Sequence, residues 1–164
     1  MKIGTVAVLG AGTMGHGIAQ LAAEAGSHVM LCDVSDEVLE RARKMIGESL
    51  ATQGRTDDEC RAVTGRIEGV TSIVSAVRSA GIVVECLPEN LELKKKVFKE
   101  LDAACPREVI LATNTSGLSP TEIAKDLSFP DRVVVAHFWN PPQLIPLVEV
   151  VPGERTSREV VDAT

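Results

Sequence analysis

Val6-Ala7-Val8-Leu9-Gly10-Ala11-Gly12-Thr13-Met14-Gly15, close to the start of the 164-residue chain, decides the fold. The apolar run at 6–10 reads as a buried strand. The G-x-G-x-x-G at its end opens a helix in which Met14, Ile18, Leu21, Ala22 and Ala25 recur at helical spacing until Gly26 stops it. Each glycine has its own task in such a loop. Gly10 makes the tight turn, Gly12 lets a pyrophosphate approach the backbone beside Thr13 and Met14, and Gly15 lets helix and strand pack closely. The helix start adds unpaired N–H groups and a positive dipole end. A second strand at 28–32 runs into Asp33, eighteen residues beyond Gly15, where a carboxylate can bind both ribose hydroxyls. Strand, glycine turn, helix, strand and acid together make a dinucleotide site rather than a chance glycine turn. The carboxylate repels a 2′-phosphate, and Val34-Ser35 brings no arginine, so NAD is expected over NADP.

Working outward, short apolar runs keep alternating with helical patterns. The expected fold is α/β: a Rossmann-type doubly wound, mostly parallel sheet with helices on both faces. Ser35 is a plausible N-cap for a helix carrying Val38, Leu39, Ala42, Met45 and Ile46. Polar residues 52–65 leave helix and loop both open. Strand signals follow at 67–70 (weak), 81–86, 109–113, 132–137 and 147–151. Pro88 introduces a helix with Leu91, Phe98 and Leu101, a short helix lies around Ile123, and another begins at Thr156-Ser157-Arg158-Glu159.

Composition narrows the function. With 17 Lys and Arg against 23 Asp and Glu, the net charge is −6, which argues against a phosphate-backbone binder. Aromatics make up 2% with no tyrosine, so base-stacking platforms are not expected. Apolar stretches are broken well short of the ~18–20 residues of a membrane span, and no signal-peptide pattern precedes the glycine loop. Cys32, Cys60, Cys86 and Cys105 show no C-x-x-C spacing. They read as free thiols, buried at least at Cys32 and Cys86, with no metal site, in a reducing compartment such as the cytoplasm. His16, in the glycine helix, and His28, at a strand start, read as packing or surface residues.

His137 stands differently. It ends the strand at 132–137, and in open α/β sheets ligands bind at the carboxyl ends of strands. Phe138-Trp139-Asn140-Pro141-Pro142 turns the chain, and Glu149 interrupts an apolar strand twelve residues on. A carboxylate there is costly unless exposed or paired. Strand, proline-rich turn and strand can bring it beside His137, where it would fix the imidazole tautomer and stabilise the protonated ring. A capping histidine with a solvent-facing glutamate is the plain alternative.

Asn114-Thr115-Ser116-Gly117, His137-Phe138-Trp139-Asn140-Pro141, Leu147-Val148-Glu149-Val150-Val151 and Glu89-Asn90-Leu91 resemble the L-3-hydroxyacyl-CoA dehydrogenase family, in order and spacing, from the glycine loop to about Pro152. The resemblance implies that His137 is the general base for the 3-hydroxyl proton and that Glu149 orients it. It implies that Ser116 and Asn140 position the substrate oxygen. Glu89 and Asn90 match positions near the nicotinamide end, Asn114 belongs to the same cofactor-binding set, and Lys94 matches a residue contacting the cofactor. Turn chemistry remains the simpler role for Ser116 and Asn140, as does a solvated lysine for Lys94 within Lys94-Lys95-Lys96. Two departures stand out: Gly117 replaces a frequent second serine and Trp139 a frequent phenylalanine, which suggests a sub-branch with a different acyl substrate.

The expected organisation is a cofactor domain over 1–152, with 153–164 starting a linker or helix. It would lead to the family's helical C-terminal domain, which these residues do not include. The implied partners are NAD, an acyl-CoA, and either a homo-oligomer of a longer chain or a helical domain supplied in trans. A related hydroxyacid dehydrogenase, acting on a sugar acid or carnitine, and a non-catalytic NAD-binding protein are the competing readings.

Overall fold

The computed structural model describes residues 4–164. Its centre is β1 (Thr5–Leu9), whose side chains alternate between two cores as strand geometry requires. Val6 and Val8 face one cluster, and Ala7 and Leu9 the other. The first cluster is covered by α1 (Gly15–Glu24), α2 (Asp36–Thr52) and α3 (Asp57–Thr64), through Ile18, Ala23, Leu39, Ile46 and Val63. The second is covered by α4 (Ile73–Val77), α5 (Leu91–Ala104) and α6 (Pro120–Ala124), through Val77, Phe98, Leu101 and Ile123. Helices therefore lie on both faces of the sheet, as the sequence predicts.

The strands are β1, β2 (His28–Cys32), β3 (Ile67–Val70), β4 (Ile82–Glu85), β5 (Ile110–Thr113), β6 (Val133–Phe138) and β7 (Val148–Pro152). They form one sheet in the order β3-β2-β1-β4-β5-β6-β7. All neighbours run parallel except β6 and β7, which are antiparallel. From β1 the chain winds outward to β2 on one side and later to β4 on the other. The crevice at this reversal is where such sheets bind ligands.

Local chemistry explains the elements. Ser35 caps α2 by accepting from the Val38 N–H, as expected. The open stretch 52–65 resolves into α3, fixed by a reciprocal capping box between Thr56 and Glu59. α4 is an element the sequence reading lacks; Ser72 caps it. At the far end of α5, Arg132 is buried and closes the helix, donating to the Asp102 carbonyl at 2.9 Å and to its carboxylate at 3.0 Å. Packing continues past residue 152. Thr156 donates its hydroxyl to the Val133 carbonyl, and α7 (Arg158–Ala163) lays Val160 against the first core.

All four cysteines are free. Cys32 and Cys105 are buried, Cys60 and Cys86 half-buried. Burial first, then the negative charges of Asp33 and Glu100, push the Cys32 thiol up to about 11. Burial also raises Cys86 and Cys105. In the folded protein at pH 8, a thiol-reactive chromophore should therefore label Cys60 quickly and the other three only on unfolding. Rapid labelling of all four without denaturant would contradict the packing. His16 is buried, its Nδ1 2.8 Å from the Gly12 carbonyl, while exposed His28 stands 3.9 Å from Glu68.

Candidate active site

The glycine loop is built as its sequence demands. Gly10 has φ +97°, and a Cβ there would lie 2.8 Å from the Cys86 carbonyl at the end of β4. A Cβ on Gly15 would lie 1.7 Å from the Gly10 carbonyl, so only glycine lets α1 start this close to β1. Gly12 has nothing within 4 Å of the corresponding point, which leaves its backbone open to an incoming group. Among the described residues, the N–H groups of Gly12, Thr13, Met14 and Gly15 meet no acceptor. Asp33 accepts from Ala11 N at 2.6 Å and from Val34 N at 2.7 Å, which ties the acid to the loop. Open donors at a helix start, a clear approach over Gly12 and a carboxylate at the next strand end fit the pyrophosphate and ribose of a dinucleotide.

On the other side of the crevice, β6 and β7 form a hairpin whose register places His137 directly opposite Glu149. The His137 Nδ1 lies 2.8 Å from Glu149 Oε2 and its Nε2 lies 3.2 Å from Ser116 Oγ. A carboxylate only accepts, so Nδ1 carries the proton and Nε2 presents its lone pair to the Ser116 hydroxyl. The hydrogen bond with His137 holds the Glu149 carboxyl below its usual range, with a further contribution from Trp139. Glu149 is thus paired with the ring although its side chain is 52% exposed. Asn140 stands beside this pair, and a cavity of about 360 Å³ is lined by Met14, Asn114, Ser116, His137, Trp139 and Asn140. Asn114 itself holds the β5 end to the β6 end, accepting from Phe138 N at 2.8 Å.

Between the two halves lies a charge cluster that sequence reasoning caught only in part. Lys94 is not solvated. It is 1% exposed, with Nζ 2.7 and 2.9 Å from the two oxygens of Glu85 and 3.2 Å from the Leu87 carbonyl. Glu85, wholly buried, also accepts from Thr113 Oγ1 at 2.6 Å and from Leu87 N at 2.6 Å. The ammonium of Lys94 lies 3.7 Å from Glu89, which accepts from Thr115 Oγ1 and from Gly117 N. Burial works to raise the Glu89 pKa, but these hydrogen bonds and Lys94 outweigh it and leave the carboxyl below its usual range. The sequence reading assigns no role to Glu85, Thr113 or Thr115. The available signal was a glutamate ending an otherwise apolar strand, Ile82-Val83-Val84-Glu85.

Among the described residues, no helix is long and apolar enough to cross a membrane, and no group of three His, Cys, Asp or Glu could hold a metal ion.

The profile of the family described as 3-hydroxyacyl-CoA dehydrogenase, NAD binding domain, matches residues 5–164. The chain is 43% identical to the 3-hydroxyadipyl-CoA dehydrogenase of Escherichia coli strain K12, over 99% of this chain and 35% of that protein. It is 42% identical to a probable 3-hydroxybutyryl-CoA dehydrogenase of Bacillus subtilis strain 168, over 97% of this chain and 56% of that one. Among solved structures, the 3-hydroxybutyryl-CoA dehydrogenase of Escherichia coli K12 superposes with a TM-score of 0.94 at 42% identity, covering 99% of this chain and 35% of that chain. The chain thus spans between about a third and just over half the length of these relatives. With the glycine loop, the acid at β2 and the histidine–glutamate hairpin all in place, the chain belongs to the 3-hydroxyacyl-CoA dehydrogenase family and comprises its NAD-binding domain.

Proposed function

We propose that this domain is the cofactor-binding and base-bearing half of an enzyme that oxidises the 3-hydroxyl of a 3-hydroxyacyl-CoA to the ketone. The observation that carries the reading is the hairpin pairing of His137 and Glu149 with Ser116 on the free ring nitrogen. NAD+, when bound, supplies the hydride acceptor. His137 Nε2 takes the hydroxyl proton, and the imidazolium so formed keeps its Nδ1–H on the Glu149 carboxylate, 2.8 Å away. Ser116 shares the same nitrogen, so its hydroxyl can hold the substrate oxygen in line with it, and Asn140 offers an amide across the same cavity. A positioned base of this kind accounts for roughly 10²–10⁴ in rate.

Gly10, Gly12, Thr13, Met14, Gly15 and Asp33 hold the adenosine and pyrophosphate side of the cofactor in this reading. Glu89, Lys94 and Asn114 shape the nicotinamide side, with Lys94 acting from beneath through its carboxylates. The acyl-CoA lies across the His137 cavity and needs a second wall. The relatives of this chain are longer, and Trp139, Leu144, Leu147, Val148 and Val151 are exposed along β7 and the connection before it, as an edge that receives a helical domain would be. The division at residue 152, the oligomer of the longer protein and a reducing compartment for the free thiols belong to the same proposal.

The protein should bind NADH at least ten-fold tighter than NADPH by fluorescence titration, because Asp33 occupies the place of a 2′-phosphate. The full-length protein should reduce acetoacetyl-CoA with NADH. Tight NADH binding with no turnover of any 3-ketoacyl-CoA, but with turnover of free hydroxyacids, would replace the acyl-CoA reading. No turnover at all would leave an NAD-binding protein.

A further inference from the structure

Thr115 belongs to no step above, yet it is buried, polar and fully engaged. Its hydroxyl donates to Glu89 Oε1 and accepts from Leu118 N at 3.0 Å and from Gly117 N at 3.4 Å. One donor and two acceptor positions exhaust a hydroxyl, so the side chain has a single arrangement. Glu89 closes the loop from the other side by accepting from Gly117 N at 3.3 Å, and Lys94 at 3.7 Å fixes Glu89 in turn. The residue enclosed by these bonds is Ser116, whose Oγ reaches the His137 Nε2. Ser116 is exposed, and among the described residues its side chain has no other partner. Nothing but the backbone of the turn therefore aims it.

We propose that Thr115 is a positioning residue for the reaction: by locking the turn after β5 onto Glu89, it holds Ser116 against the lone pair of His137. The inference rests on the dehydrogenase reading for its kinetic consequence, but its structural claim does not. Valine at 115 keeps the shape and removes all three hydrogen bonds, whereas serine keeps the hydroxyl. A residue that acts through Ser116 has no effect once the Ser116 hydroxyl is gone.

The test is made in the full-length protein. T115V should lower kcat with acetoacetyl-CoA about ten-fold while KM and NADH affinity change less than two-fold, and T115S should return to within two-fold of the parent. In an S116A background, T115V should cost less than two-fold more. A further ten-fold loss there would show that Thr115 acts independently of Ser116 and overturn the proposal. A second readout needs no turnover. In protein labelled with 15N-histidine, the His137 Nε2 resonance should move downfield in T115V as its hydrogen bond is lost, and should move back in T115S. An Nε2 resonance unchanged in T115V overturns the proposal whatever the substrate proves to be. If T115V does not fold, E89Q, at an exposed position, should weaken the same anchor and move the same resonance; no movement again overturns it. Failure of the parent protein to turn over acyl-CoA bears on the function alone, and the resonance still decides the role of Thr115.

Discussion

His137→Gln is expected to reduce turnover by at least ~10²-fold while leaving NADH affinity within two-fold of the parent. Glutamine is close in size, and its amide can still meet Glu149 and Ser116, so the hairpin and the turn after β5 should persist. What it lacks is a nitrogen that can take up a proton. The ring sits at the carboxyl end of β6, and its hydrogen bonds go to Glu149 and Ser116 rather than to the glycine loop or Asp33, so the dinucleotide contacts should persist. Steady-state rates and NADH titration on the same preparations measure both halves of the expectation. Turnover within ten-fold of the parent would place the base elsewhere.

Lys94→Met is expected to destabilise the fold by about 3–5 kcal/mol, the usual result of leaving one member of a buried ion pair alone. Glu85 and Lys94 are 0% and 1% exposed, so water cannot replace the lost ammonium. Thr113 and Leu87 N still donate to the carboxylate but bring no charge. Methionine fills the space of the lysine stem, so the loss reports on charge rather than on a cavity. Urea denaturation checks the value, and adding Glu85→Gln should restore most of it, because the orphaned charge is then removed. A loss below 1 kcal/mol for the single variant, or no recovery in the double one, would mean that the pair is hydrated. Within the fold this pair ties α5 to the ends of β4 and β5, below the crevice.

Most of the sheet was legible because buried parallel strands write themselves as short apolar runs. The strands at 28–32 and 67–70 coincide with their predicted limits, and β1, β4, β5, β6 and β7 differ at the ends by one residue. α4 was not legible. Its five residues are too few to show a helical period, and Ile73, Val74, Ala76 and Val77 look equally like a strand or a loop. Residues 52–65 stayed open because their apolar positions are sparse, although Thr56 and Glu59 carried the capping-box spacing. The histidine–glutamate pair was readable since one hairpin holds both residues. The charge cluster was not, since Glu85, Lys94 and Thr113 come from three separate elements. Even so, Lys94 lies between Leu91 and Phe98 on the stripe that α5 buries, a spacing that argues against water around it.

The antiparallel return of β7 has a consequence for how this site can diverge. His137 and Glu149 face each other through strand register alone, and the residues between them, 139–147, form a connection that runs over the surface. Adding one residue inside β7 would turn Glu149 to the opposite side of the sheet and dissolve the pair. Adding or exchanging residues within the connection leaves the register untouched. The register of His137 and Glu149 is thus set by pairing, while exposed rim residues such as Leu144 and Leu147 can vary without moving it. A lineage built on this hairpin can explore new substrates one loop substitution at a time without first giving up its base.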